Sequence, residues 1–243
     1  MRLALAHARL ETLELGRYPS FVVPTLLFPA MFFLLFVVPG VSDANADAFM
    51  ASYVAFAFLG VAFFQFGVGI AAERASSWAL FLRTLPASVF THVAGQVVSA
   101  LVFSIASGAI VVAVATALTS ARLDALEWLS LAVSLLVGVV PFALLGIAVG
   151  YLVRPKGALP VANVLYLALA YAGGLWTGAA KLPDAIAGIS TALPTRQWAD
   201  IVVAAAAGRP PSLGAVLGLA AWGVVFGIAA VWAFRRDEGA RFG

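Results

Sequence analysis

The 243-residue chain is far more apolar than a water-soluble protein of this length, with 63% hydrophobic and 10% charged residues. A soluble domain carries about 25% charged residues, so this chain has too few to cover a water-facing surface. The composition excludes a soluble cytosolic enzyme and indicates a protein embedded in a lipid bilayer. The net charge is +3, and the charged residues lie between apolar stretches. This distribution indicates that the positive charges set the topology in the membrane and do not bind nucleic acid.

Few residue types for catalysis or metal binding are present. The chain has no cysteine and two histidines, His7 and His92, far apart in sequence. It therefore lacks a disulfide framework, a thiolate nucleophile and a cysteine-based zinc site. Lys156 and Lys181 do not follow the glycine of a Walker-type loop, so the chain does not hydrolyse ATP through such a site. We expect no catalytic residue, metal or cofactor in this chain.

Six intervals without a charged residue divide the chain. Each is at least as long as the ~20 residues that a helix needs to cross the hydrocarbon core. The predicted fold class is an all-α integral membrane protein, a single domain over residues 1–243 with six spans within 21–234 and a tail at 235–243. The predicted helices cover about 21–41, 49–72, 91–119, 129–152, 158–179 and 213–234.

The positive charges predict the orientation of these spans. An even number of spans places both termini on one side, and the side richer in Lys and Arg is cytoplasmic. Ten of the 14 positive residues lie on the side of the termini, so both termini are predicted in the cytoplasm. These ten are Arg2, Arg9, Arg17, Arg74, Arg83, Arg154, Lys156, Arg235, Arg236 and Arg241.

Two segments outside the spans have helical patterns. Residues 1–17 are polar but carry leucines and an alanine at helical spacing, which predicts a helix lying on the inner leaflet, with a frayed tail as the alternative. After span two, an apolar face predicts a short amphipathic helix that ends at Pro86. The two alternatives are that this helix docks into a groove of a partner protein or that it lies on the membrane interface. Its apolar residues are Trp78, Phe81, Leu82 and Leu85.

The order Glu73-Arg74, followed by Leu82-Arg83-Thr84-Leu85-Pro86-Ala87-Ser88, resembles the coupling-helix signature of type 2 ABC transporter permeases. The layout of an inner-leaflet helix, six spans and a long outer segment before the last span is also similar to that family. Within the outer segment, Leu193-Pro194-Thr195-Arg196-Gln197-Trp198 resembles the family's proline-led motif. The chain departs from the family at Ala75-Ser76-Ser77, where a glycine often follows the acidic-basic pair.

This resemblance implies a permease subunit that forms a homodimer in the bacterial inner membrane and exports its substrate. A separate ABC ATPase would bind ATP and Mg, and no nucleic acid is expected as a partner. The residues expected to couple the chain to the ATPase are Glu73, Arg74, Trp78, Phe81, Leu82, Arg83, Leu85 and Pro86.

A translocation path between two protomers is expected along spans two and five, partly from the resemblance and partly from composition. Aromatic side chains with few hydrogen-bonding groups favour a hydrophobic or amphiphilic cargo, such as a drug, a lipid or a lipid-linked molecule. The alternatives are rings that face lipid and polar groups that only bond neighbouring helices. The candidate path residues are Gln65, Phe66, Asn163, Tyr166 and Tyr171.

The outer segment between spans five and six, residues 181–212, predicts two short helices that begin at Pro183 and Pro194. The apolar stretch 198–207 is too short to span the membrane, and it suits a re-entrant or capping helix. Pro24, Pro29 and Pro141 predict kinks in helices one and four, and glycine pairs such as Gly146 and Gly150 permit close helix contact.

Two other classes of function remain open at this point. A non-ABC channel or membrane assembly subunit would share the composition but would not need the segment from Glu73 to Ser88. A membrane-embedded enzyme would need a cluster of polar catalytic residues, which the sequence does not indicate. An ion-coupled carrier is disfavoured because the predicted spans contain no ionisable side chain except His92 at a margin.

Overall fold

The computed structural model of the protein describes residues 12–13, 16–17, 19–75 and 89–242, and regular structure within these ranges is helical. The predicted N-terminal interfacial helix falls almost entirely outside the described residues. So do Trp78, Phe81, Leu82, Arg83, Leu85 and Pro86 of the predicted coupling segment.

The described part of the chain contains helices that we number α1 to α8. Helix α2 begins with a 3-10 turn, Asp43–Asn45, and contains a π-helical stretch, Ala62–Gly69. Helix α4 is interrupted at Val139, two residues before Pro141. The bounds are α1 Pro19–Phe36, α2 Asp43–Ala75, α3 Val89–Leu118, α4 Ala125–Leu152, α5 Pro155–Ala172, α6 Asp184–Ser190, α7 Pro194–Ala206 and α8 Leu213–Phe242.

Four helices in the described residues are long and apolar enough to cross a membrane: Asp43–Ala75, Gly95–Leu118, Ala125–Leu152 and Leu213–Glu238. The protein is thus all-helical in its described part and has the helices of a multi-pass membrane protein. Helices α1 and α5 correspond to the other two predicted spans, but each has 18 residues. Such a helix is about 27 Å long, slightly less than a typical hydrocarbon core.

Helix α2 is the centre of the bundle, and α1, α3, α4, α5 and α7 all pack against it. Its most apolar window is 83% buried, compared with 22% for α8. The largest side chains that it buries include Tyr53, Phe56 and Phe63. A movement of α2 would therefore reach most of the other helices directly.

Glycines on α4 allow it to approach α2 closely. A Cβ atom on Gly146 would lie 2.6 Å from the Ala62 carbonyl oxygen, and one on Gly150 would lie 2.7 Å from the Phe66 carbonyl oxygen. Any larger side chain would push the two helices apart. This geometry agrees with the predicted role of the Gly146 and Gly150 pair.

A neighbouring helix compensates for Pro29 of α1. Pro29 has no N–H group, so the Thr25 carbonyl four residues earlier loses its usual helical partner. The Ser107 hydroxyl of α3 donates a hydrogen bond to that carbonyl at 2.9 Å. Pro29, which predicted a kink in helix one, thus lies inside the continuous helix α1, and a bond from α3 satisfies the carbonyl that it leaves free.

The contacts around α2 also fix the direction of each helix. Helices α4 and α8 run in the same direction as α2, whereas α1, α3 and α5 run in the opposite direction. For α4 and α8 the contacts are Gly146 with Ala62, Gly150 with Phe66, Gly223 with Pro141 and Tyr151 with Phe234. For α1 the contacts with α2 are Phe33 with Tyr53 and Pro24 beside Phe64. For α3 they are Gly108 with Val54 and Gln96 with Gln65. For α5 they are Tyr166 with Phe56 and Ala162 with Gly67.

Candidate functional site

The acidic-basic pair at the end of α2 contacts two different groups of helices. On one side, the Gln96 amide of α3 donates hydrogen bonds to both carboxylate oxygens of Glu73, each at 3.0 Å. The Gln65 amide in turn donates to the Gln96 carbonyl at 3.3 Å. Glu73 and the π-helical stretch of α2 are therefore both bonded to one turn of α3.

Arg74 makes its contacts with α4 and α8. Its guanidinium donates to the Gly150 carbonyl at 2.7 Å and more distantly to the Val153 carbonyl at 3.5 Å. These carbonyls lie at the end of α4, where helical partners are missing and the helix dipole is negative. Arg74 also forms an ion pair with Asp237 of α8, and its guanidinium carbon lies 5.5 Å from the centre of the Tyr151 ring.

Glu73 and Arg74 thus join the end of α2 to three neighbours at once. The chain then enters residues 76–88, which contain the rest of the predicted coupling segment and lie outside the described residues. Gln96 and Asp237 were not predicted from the sequence as partners of the pair. The available signal for Asp237 was an acidic residue among arginines after an apolar span.

A second feature is a cavity of about 70 Å³ between α1, α2 and α5. It brings together two candidate path residues, Asn163 and Tyr166, with residues of α1 that were not predicted to line a path. The lining consists of Pro24, Thr25, Phe28, Pro29, Gly60, Phe64, Asn163 and Tyr166. The cavity is mainly apolar and aromatic, and the polar side chains of its lining are those of Thr25, Asn163 and Tyr166.

Tyr166 is fixed at the wall of this cavity. Its ring stacks on Phe56, with centroids 4.6 Å apart and planes 6° apart, and its hydroxyl donates to the Phe56 carbonyl at 3.3 Å. A Cβ atom on Gly60 would lie 3.1 Å from the Tyr166 ring, so the glycine makes room for the phenol. Tyr166 is therefore held by ring stacking and one hydrogen bond, and it is 2% exposed.

The other candidate path residues lie elsewhere. Gln65 is buried towards α3, and Phe66 is buried beside Gly146 of α4. Tyr171 contacts Trp176, with ring centroids 5.9 Å apart. The structure thus groups Asn163 and Tyr166 but separates them from Gln65 and Phe66, and the path itself stays a prediction.

The proline-led motif of the outer segment anchors α7 inside the bundle. The Thr195 hydroxyl donates to the Leu169 carbonyl near the end of α5 at 2.7 Å. The Trp198 indole donates to the Ser134 carbonyl of α4 at 3.1 Å, and its ring stacks on Phe142. Helix α7 is therefore a buried helix and not a surface loop.

The long apolar helices around a buried central helix define a multi-pass, all-helical membrane protein. A comparison with models of known protein families found no match. The chain is 26% identical over 227 residues to a protein of Bacillus subtilis (strain 168) named "Putative transport permease YvfS". The similarity covers 91% of this chain and 93% of that relative.

This similarity is consistent with the resemblance to type 2 ABC transporter permeases seen in the sequence. Together with the apolar helices, it supports a membrane transport permease. Because the relative is named for transport, a transporter subunit is favoured over a membrane-embedded enzyme.

Proposed function

We propose that the chain is the transmembrane subunit of an ATP-driven ABC exporter that works as a homodimer with a separate ATPase. The observation that carries the proposal is the position of Glu73 and Arg74. They tie the end of the central helix α2 to α3, α4 and α8 directly before the segment that resembles a coupling helix. A force that an ATPase applies to that segment would be transmitted to α2, the most buried of the long apolar helices in the described residues.

In this proposal α1, α2, α3, α4, α5 and α8 are six spans, with both termini in the cytoplasm of a bacterial inner membrane. The helix directions support this layout. Six consecutive crossings require the second, fourth and sixth helices to run one way and the others to run the opposite way. The contacts of α4 and α8 with one another and with α2, and those of α1, α3 and α5 with α2, follow this alternation. Helices α6 and α7 would then lie at the outer side.

The proposed cargo is hydrophobic or amphiphilic, such as a drug, a lipid or a lipid-linked molecule. The lining of the cavity beside Tyr166 supports this class because aromatic and proline side chains form most of it, and the cavity of about 70 Å³ would have to widen to admit such a cargo. Thr25 and Asn163 supply the polar groups that would orient an amphiphile. ATP and Mg would be bound by the ATPase, and this chain would supply the path.

The proposal is tested by isolating the chain from its native membrane with any bound ABC ATPase. Replacing Phe81 and Leu82 together with Asp should remove the ATPase, because an apolar anchor in a groove tolerates charge poorly. Leu213→Asp is the matched control, since it places a charge on a 72% exposed leucine at the start of α8. Retention of both the ATPase and transport by the double variant would contradict the proposed coupling segment, and a wild-type chain isolated without any ATPase would favour a channel or assembly subunit.

A further inference from the structure

Asp237 ends a buried stripe along α8. Phe226, Ala230 and Ala233 are 8%, 5% and 1% exposed, and at helical spacing they lie on the same face as Asp237. The Asp237 side chain is itself 8% exposed, whereas its neighbour Arg236 is exposed. A carboxylate is costly to bury unless it is paired, so the position of Asp237 calls for a specific partner.

That partner is Arg74, 163 residues away in the chain. The Arg74 side chain is 19% exposed and also bonds the terminal carbonyl groups of α4. A guanidinium can bond a carboxylate and a carbonyl at the same time because its donors point in fixed, separate directions. One side chain thus joins the ends of α2, α4 and α8.

These three helices are also the ones that run in the same direction, and α4 packs closely against both of the others. We infer that Asp237 is a positioning residue that holds Arg74 and makes the end of α8 part of the coupling machinery. In this view α2, α4 and α8 move as one unit when the ATPase displaces residues 76–88. The inference rests on the proposed function and extends it to a part of the chain that the sequence predicts to be only a tail.

The purely structural alternative is that the ion pair only stabilises the fold. The two roles differ when both charges are removed together. Asp237→Asn leaves the Arg74 charge without its carboxylate, which destabilises a partly buried pair, but Arg74→Gln with Asp237→Asn leaves no such charge. A structural role predicts recovery of both stability and movement in the double variant. A positioning role predicts recovery of stability alone.

The experiment uses the complete complex with its ATPase in lipid nanodiscs. The chain has no cysteine, so an environment-sensitive fluorophore can be attached at Val231→Cys, an α8 position that is 52% exposed. The measured quantity is the emission change when ATP is bound and then trapped with vanadate. This readout needs no knowledge of the substrate.

We expect the emission change to fall about tenfold in Asp237→Asn, within the range of typical coupling between sites. The emission change of the double variant should stay equally low while its thermal stability recovers in part, since Arg74→Gln also removes the bonds to the α4 carbonyl groups. Both variants should retain the ATPase. Asp237→Glu keeps the charge and should keep most of the response. Glu238→Gln is the matched control because it removes an exposed acidic residue from the same turn, and its response should equal that of the wild type.

An unchanged response in Asp237→Asn, or a response restored in the double variant, would overturn the inference while leaving the proposed function intact. A wild-type chain that binds no ATPase would instead overturn both. The co-purification step therefore separates the two failures before any variant is compared.

Discussion

The Trp198 indole of α7 donates its hydrogen bond to the Ser134 carbonyl of α4 across the position of Gly138, where a side chain would collide with the ring. Gly138 is the last residue before the interruption of α4 at Val139. The tryptophan therefore fills the space at the break in α4, and α7 is held at a fixed depth in the bundle.

Gly138→Ala tests the packing of Trp198 against Gly138 at the break in α4. A Cβ atom there would lie 2.0 Å from the Trp198 indole nitrogen, so the ring or the helix must shift. Overpacking of this kind costs about 1–3 kcal/mol, and the thermal unfolding temperature of the purified protein should fall. Gly188→Ala is the control, because a Cβ atom on Gly188 meets nothing within 4 Å. Equal unfolding temperatures for the two variants would contradict this packing of Trp198 against Gly138.

The proposed topology predicts opposite labelling at the two ends of the bundle. Asp184 at the start of α6 and Arg154 between α4 and α5 are both exposed. In intact cells, a cysteine at position 184 should react with an impermeant thiol reagent, and one at position 154 should react only after the membrane is opened. The reverse labelling pattern would show that the proposed membrane topology is inverted. Ser190 is unsuitable as a labelling position because it is fully buried and bonded to the Ala172 carbonyl.

The cavity beside Tyr166 predicts a selective effect of Asn163→Ala. The amide is one of the few polar groups in the cavity wall, so its loss should alter stimulation of the ATPase by amphiphilic drugs or lipids by about threefold or more, the scale of one hydrogen bond. Val164→Ala is the control, since Val164 is the next residue and is 66% exposed. Identical stimulation curves for the two variants, in assembled complexes, would exclude Asn163 from the path.

The helical class and several local features follow from the sequence because they depend on composition and on nearby residues. A charge-free run predicts an apolar helix, Pro141 predicts the break in α4, and the shortness of the stretch after Trp198 predicts a helix that does not span. These effects act within one or two helical turns. They are therefore visible in a single sequence.

The partners of the site residues do not follow from the sequence because they are distant in the chain. Arg74 and Asp237 are separated by 163 positions, and Tyr166 and the Phe56 carbonyl by 110. Ser107 bonds the carbonyl left free by Pro29, which depends on how α1 packs against α3. Periodicity identifies which face of a helix is apolar, but several helices in an all-apolar bundle present similar faces.

The bonds between Gln96 and Glu73 predict a measurable energetic coupling between α3 and the end of α2. Gln96→Met keeps the size of the side chain but removes the donor to both carboxylate oxygens, and hydrogen bonds to a charged group contribute about 1.5–3 kcal/mol. Glu73→Gln should cost less, because an amide can still accept from Gln96. Combining Gln96→Met with Glu73→Met should cost less than the sum of the two single changes to Met, since neither polar partner remains. Thermal unfolding of the purified variants gives the stability changes of this double-mutant cycle. Additive losses of stability would show that the two residues act independently.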